Sequence, residues 1–258
     1  MHGGREPGDF DYLWAGKKGT TMIKGAIFDL DGTLLNSMFV WNTVGENYLR
    51  SIGLEPDKDI NETFKAMSLY QAACHYRKAY GITQSIDEIM AGVNKMIERY
   101  YRDELILKSG TEKLLSEMSE MGMSMCIATA TDQYLVDAAL KRCGIRQYFS
   151  EIFTCTSVAH GKDEPQIYRE AAAYMGLGKD QVIVFEDALY AALTAKDDGF
   201  TIIGVYDSYE KEHERLRELC DFYMADFSPE NRRKLFQFIS SKENRPSLRI
   251  GRVKGGAV

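Results

Sequence analysis

The sequence predicts an α/β protein: a mostly parallel sheet with helices on both faces, and an all-helical subdomain inserted after the first strand. Three observations carry this. Short apolar runs recur at residues 23–28, 123–128, 182–185 and 201–205, each too short for a helix and continuous enough to be buried on both faces. Stretches of helical periodicity separate them, the alternation that builds a parallel sheet. Between the first two runs lie roughly ninety residues, where a right-handed crossover needs only about a dozen.

The elements follow in order. Residues 1–21 hold Gly, Lys and Asp with no period, and Met22 directly precedes the first strand, so this leader reads as a disordered extension or a tag. Residues 22–36 and 109–240 make the Rossmann-like core. Residues 37–108 are the inserted subdomain, where Leu69, Ala72, Ala73, Tyr76 and Tyr80 fall at helical spacing, as do Ile89, Val93, Met96, Ile97 and Tyr100, and Gly53, Pro56 and Gly81 punctuate. The core continues with helices at 111–121 and 134–143, a strand at 152–154, and helices at 166–175 and 189–196. An edge strand at 222–224 and a final helix at 229–239 complete it. Residues 241–258, rich in Gly, Arg and Lys, read as a basic tail.

Composition bounds the function. A net charge of −6 over 258 residues leaves no basic footprint for nucleic acid and argues against a membrane surface. The five cysteines are scattered and odd in number, which suits a reduced, cytoplasmic protein without disulfides or a zinc site. The expected assembly is a monomer or weak homodimer.

The chemistry concentrates at strand ends. The first strand delivers Asp29 and Asp31, two residues apart, onto the turn at Gly32. Two anions at such range raise one pKa and attract a cation, Mg²⁺ being the natural partner for hard oxygen ligands and phosphate. The second strand ends at Thr129-Ala-Thr131, the fourth at Glu186-Asp187, and Lys162 lies in a loop before a helix. Each piece alone has an ordinary reading: an aspartate capping a helix, a threonine in a turn, a surface lysine. All four lie past the carboxyl ends of strands, or in the loop that follows one, on the side where open α/β sheets bind ligands.

The run Asp29-Leu-Asp31-Gly-Thr33-Leu34 resembles the first signature of the haloacid dehalogenase superfamily. Thr129, Lys162 and Glu186-Asp187 resemble its second, third and fourth signatures, in order. The resemblance implies that Asp29 is the nucleophile and Asp31 the general acid and base. It implies that Thr129, Lys162 and the turn amides near Leu30 and Asp31 hold the phosphoryl group. Mg²⁺ is implied on Asp29, the Asp31 carbonyl, Glu186 and Asp187. Two departures stand out: the usual Lys-Pro-x-Pro-Asp is here Lys-Asp-Glu-Pro-Gln, and Ala188 and Ala191 replace the usual Ser and Gly.

In that family the insertion is a helical cap that closes over the site. The expected activity is Mg²⁺-dependent hydrolysis of a small phosphorylated metabolite, such as a sugar phosphate or a nucleotide-like one, through an aspartyl phosphate. A phosphomutase of the β-phosphoglucomutase type and a non-catalytic binding protein are the alternatives; the cationic cap residue of the mutase branch would fall near Leu69. Trp41, Lys65 and Tyr70 are the candidate cap contacts, with His75 and Arg77 behind them, each equally readable as cap packing or an exposed helix face.

Overall fold

The computed structural model describes residues 22–58, 60–64 and 67–242. The leader, Lys65 and the tail beyond residue 242 lie outside the described residues. The chain begins with β1 (Gly25–Phe28) and enters the insertion: α1 (Met38–Ser51), α2 (Ile60–Phe64), α3 (Leu69–Tyr80) and α4 (Ile86–Arg99), which runs into a π-helical turn at Tyr100–Glu104. It returns through α5 (Thr111–Glu120), β2 (Ser124–Thr129), α6 (Gln133–Arg142), β3 (Glu151–Thr154), α7 (Cys155–Val158) and α8 (Gln166–Tyr174). Then come β4 (Val182–Glu186), α9 (Leu189–Asp197), β5 (Thr201–Val205), α10 (His213–Leu219), β6 (Phe222–Met224) and α11 (Pro229–Lys242).

The six strands form one sheet in the order β3-β2-β1-β4-β5-β6, every pair parallel. Alternation along each strand divides its side chains between two cores. Phe28, Ile127 and Phe185 join one, beneath α5, α6 and α11; Ile27, Ala128 and Val184 join the other, beneath α8, α9 and α10. Register is visible in the rings of Phe28 and Phe185, paired residues that stack 4.3 Å apart. Since β1 lies between β2 and β4 and all run the same way, their carboxyl ends open on one edge, with the end of β1 flanked on both sides.

The insertion is tied to that edge by two adjacent chain segments. Leu35 pairs antiparallel with Leu107, and the Asn36 and Lys108 amides donate to the Ile106 and Leu34 carbonyls at 2.9 and 2.8 Å. Ser68 with Gln71 and Ser85 with Glu88 form capping boxes that start α3 and α4, and Gly81 ends α3 in the left-handed conformation. Val44, Tyr48, Ala73, Tyr76, Ile89 and Val93 are buried where these helices meet.

Three details differ from the sequence reading. The last helix continues past Ile239 to Lys242, whose Nζ pairs with Asp221 and lies over the Phe238 ring. Helix α10 was not anticipated, because Leu216 alone is buried in its seven residues and one apolar position makes no period. The stripe on α4 ends at Tyr101, which is fully buried, and not at half-buried Tyr100. The Leu105 amide bonds to the Tyr100 carbonyl, a span of five residues, and Tyr101, four residues after Ile97, lies on that residue's side. All five cysteines are free, and no described helix is long and apolar enough to cross a membrane.

Candidate active site

Six residues singled out in the sequence, Asp29, Asp31, Thr129, Lys162, Glu186 and Asp187, line one cavity of about 190 Å³ between the strand edge and the insertion. Asp29 follows β1 directly, and its amide donates to the Phe185 carbonyl at 3.0 Å, so the carboxylate is fixed beside the end of β4. Thr129 and Glu186 are the last residues of β2 and β4, and Asp187 follows. Lys162 arrives from the loop between α7 and α8.

Lys162 is the electrostatic centre. Its Nζ lies 2.5 Å from Asp29 Oδ1 and 2.6 Å from Glu186 Oε1, with 3% of its side chain exposed. Burial works against the ammonium, but Asp29 and Glu186 outweigh it and hold its pKa well above the ordinary lysine value. Tyr168 Oη donates to the same Glu186 oxygen at 2.7 Å.

Asp29, Glu186 and Asp187 each bring a carboxylate oxygen within 4.8 Å of the others, and all three are buried. Against the one ammonium of Lys162, three ionised carboxylates leave two negative charges in excess. Burial therefore pushes Glu186 up to about 7, with Lys162 opposing it. Burial, Asp29 and Glu186 push Asp187 well above the usual carboxylate range. Asp29 Oδ2 is buried and has no hydrogen-bond partner. An unpartnered buried carboxylate oxygen, an all-oxygen donor set and two uncompensated charges fit a hard divalent cation.

Gly32 makes room for this cluster. Its φ is +87°, and a Cβ there would stand 2.1 Å from Asp187 Oδ2. Thr33 Oγ1 donates to Asp187 Oδ1 at 2.9 Å and fixes that carboxylate's rotation.

The Asp31 side chain belongs to a different group and is not one of the clustered carboxylates. Its Oδ1 accepts from Tyr101 Oη at 2.5 Å and its Oδ2 from Thr131 Oγ1 at 2.6 Å. Trp41 Nε1 donates to Tyr101 Oη at 2.7 Å, leaving the phenol its one proton to give onward. Burial and the nearby Asp29 raise the Asp31 pKa. The Thr131 amide donates to Thr129 Oγ1 at 3.1 Å, so the Thr129 hydroxyl keeps its own proton to give.

The candidate contacts on the insertion part company. Trp41 lines the cavity while its indole N–H is committed to Tyr101. Tyr70 does not reach the cavity: it is 57% exposed, one residue round the helix from buried Leu69 and so off the inner face of α3. Lys65 is outside the described residues. His75 packs edge-on against Phe64, and Arg77 is exposed.

Four residues of this network were missed. Thr33 and Thr131 stand inside the quoted motifs, and Tyr168 follows Lys162 at a distance that only the helix α8 brings back. Tyr101 had no signal beyond its place four residues after Ile97. Glu210 also lines the cavity, and its Oε2 accepts from the Leu189 amide at the start of α9, where Ala188 offers no side-chain cap.

Residues 26–205 match a family model described as haloacid dehalogenase-like hydrolase. A validoxylamine A 7′-phosphate phosphatase of Streptomyces hygroscopicus subsp. limoneus is 27% identical over 191 residues, which cover 74% of this chain and 89% of that protein. Hexitol phosphatase A of Escherichia coli is 29% identical over 185 residues, covering 70% and 82%. Among solved structures, phosphate-bound CbbY of Rhodobacter sphaeroides superposes with a TM-score of 0.71 at 22% identity, over 81% of this chain and 96% of that one. A β-phosphoglucomutase of Clostridium difficile gives 0.71 at 17% identity, over 86% and 98%. At those identities the two structures share the fold.

Proposed function

The chain belongs to the haloacid dehalogenase-like hydrolases and is a phosphoric monoester hydrolase, and from that premise we propose that it cleaves small phosphorylated metabolites through a phosphorylated Asp29. One observation carries the reading: the Asp29 carboxylate has one oxygen held by Lys162 at 2.5 Å and the other buried without a partner, at the edge of a cavity. A carboxylate so placed is oriented and charge-compensated, which is what a weak nucleophile needs.

In the first step an Asp29 oxygen bonds to phosphorus as the ester P–O bond breaks, and Asp31 gives its proton to the departing alkoxide. In the second, Asp31 takes a proton from water, whose oxygen attacks phosphorus as the bond to Asp29 breaks. Products are the alcohol and inorganic phosphate, and both carboxyls return to their starting states. Lys162 and Thr129 hold the non-bridging oxygens, where charge accumulates. The Tyr101 and Thr131 hydroxyls set the Asp31 carboxyl in one rotamer. Asp29, Asp187, Glu186 and the Asp31 carbonyl are the groups for Mg²⁺, which when bound offsets the repulsion between carboxylate and phosphate.

We take residues 37–108 as a cap that excludes water from this chemistry. The parental protein is expected to release phosphate from p-nitrophenyl phosphate with Mg²⁺ and to stop under chelation. Asp29→Asn is expected to lose that release while melting like the parent. Release by a well-folded Asn variant would refute the assignment of the nucleophile. Transfer of phosphate between positions of a sugar without net release would favour the mutase reading.

A further inference from the structure

The two walls of the cavity differ in kind. Every charged lining residue among the described ones comes from the core: Asp29, Asp31, Lys162, Glu186, Asp187, Glu210 and Lys211. The insertion contributes Val44, Phe64, Met67, Leu69, Tyr76 and Val93 among its lining residues. Its polar lining residues are uncharged: Asn42, Tyr76 and Trp41, whose indole N–H is already given to Tyr101. The rings of Phe64 and Tyr76 lie 4.6 Å apart. Helix α1 comes close over this pair because position 45 is glycine: a Cβ there would stand 3.0 Å from Tyr76 Oη and 3.1 Å from the Phe64 ring.

Both lining cations among the described residues belong to the core. Lys162 is shared between Asp29 and Glu186, and Lys211 is exposed beside Glu210. A phosphate placed against Asp29 therefore points the rest of its ester toward the apolar wall. A second anion on that part would leave water for a surface that holds no charged group among the described residues and is mostly methyl, thioether and aromatic, which penalises it. An apolar or aromatic face would instead be buried against the same surface.

Resting on the phosphatase reading above, we propose that the substrate is a phosphate monoester whose alcohol part carries no second phosphate or carboxylate and presents an apolar or aromatic face to the insertion. The wall discriminates through binding, so the effect belongs in KM.

Steady-state hydrolysis of matched probes tests this. The parental protein with Mg²⁺ is expected to show kcat/KM at least tenfold higher for 4-methylbenzyl phosphate than for 4-carboxybenzyl phosphate, the difference lying in KM. Benzyl phosphate is expected to exceed ethyl phosphate by a similar factor. Met67→Lys, a change of similar length at a half-buried position, is expected to narrow the methyl-to-carboxylate gap severalfold. Equal or better use of the carboxylate probe by the parent would overturn the proposal, and loss of that preference in Lys65→Ala would name the cation responsible. If no probe releases phosphate from protein with a normal melting transition, the phosphatase reading itself falls and this one with it.

Discussion

Metal-free protein should lose stability as pH rises from 5.5 to 8, and Mg²⁺ should restore more of it at the higher pH. The cause is the excess of carboxylates around Lys162. Burial pushes Glu186 from an ordinary 4.5 to about 7. Because the folded value is the higher one, its contribution to stability is whole below about pH 4.5 and is lost as pH rises through about 7. At about 1.36 kcal/mol per pH unit, that gap is worth on the order of 3 kcal/mol in all, about 2 kcal/mol of it between pH 5.5 and 8. For a chain of this size the part lost over that window is roughly 6 °C in Tm. Asp187, raised by burial and by Asp29 and Glu186, acts in the same direction. Binding Mg²⁺ requires the ionised form. With a pKa of about 7, about one Glu186 in thirty is ionised at pH 5.5, so apparent affinity falls about thirtyfold from pH 8. At a Mg²⁺ concentration near 100 times the pH 8 Kd, stabilisation is about 2.7 kcal/mol at pH 8 and about 0.9 kcal/mol at pH 5.5. Calorimetric melts of chelated and Mg²⁺-loaded protein at both pH values measure each quantity without a substrate, and Glu186→Gln should flatten the metal-free profile. An equal Mg²⁺ shift at both pH values, or metal-free protein that is firmer at pH 8, would refute the reasoning.

Tyr101→Phe removes a hydrogen bond that stabilises the Asp31 anion formed as its proton is given up, worth about 1.5–3 kcal/mol, so kcat should fall roughly 10- to 100-fold with KM little changed in steady-state assays. Asp31→Asn should slow both chemical steps by about 10²- to 10⁴-fold, and intact-protein mass spectrometry should find a phosphorylated form accumulating. Gly32→Ala meets both a left-handed backbone and a Cβ placed 2.1 Å from Asp187 Oδ2. It should destabilise the protein by more than about 1 kcal/mol and weaken Mg²⁺ binding, read by melting with and without the ion.

The parts of this molecule legible in its sequence are those with a local cause. Residues 182–185 are apolar at every position, and such a run has few homes besides a strand covered on both faces. Gly32 after two aspartates marks a turn that only glycine tolerates beside Asp187. What escaped notice depends on partners far along the chain. Helix α10 holds one core residue and is shaped by what it covers, and Lys242 stays helical because Asp221 and Phe238 are there to meet it. Tyr70 and Leu69 are neighbours in sequence, yet about 100° of helix puts one outside and the other in the cavity.

Tyr101 is the most instructive of these. Tyr100 and Tyr101 are indistinguishable by composition, and both continue the α4 stripe within a residue. What separates them is burial, Tyr101 fully enclosed and Tyr100 only half so, at the turn where the insertion rejoins the core. The outcome is a hydroxyl 2.5 Å from Asp31, steered by an indole from α1 at the insertion's other end. Both connections between insertion and core thus converge on the proposed acid and base. Removing the indole proton donor by Trp41→Phe leaves Tyr101 able to turn its proton toward Thr131, whose Oγ1 is 3.3 Å away. That variant should lose activity in the same sense as Tyr101→Phe but by less, and in the double variant the Trp41 change should add little, because both act through one hydrogen bond. Full additivity of the two losses would show that Trp41 works on the substrate directly and not through Asp31.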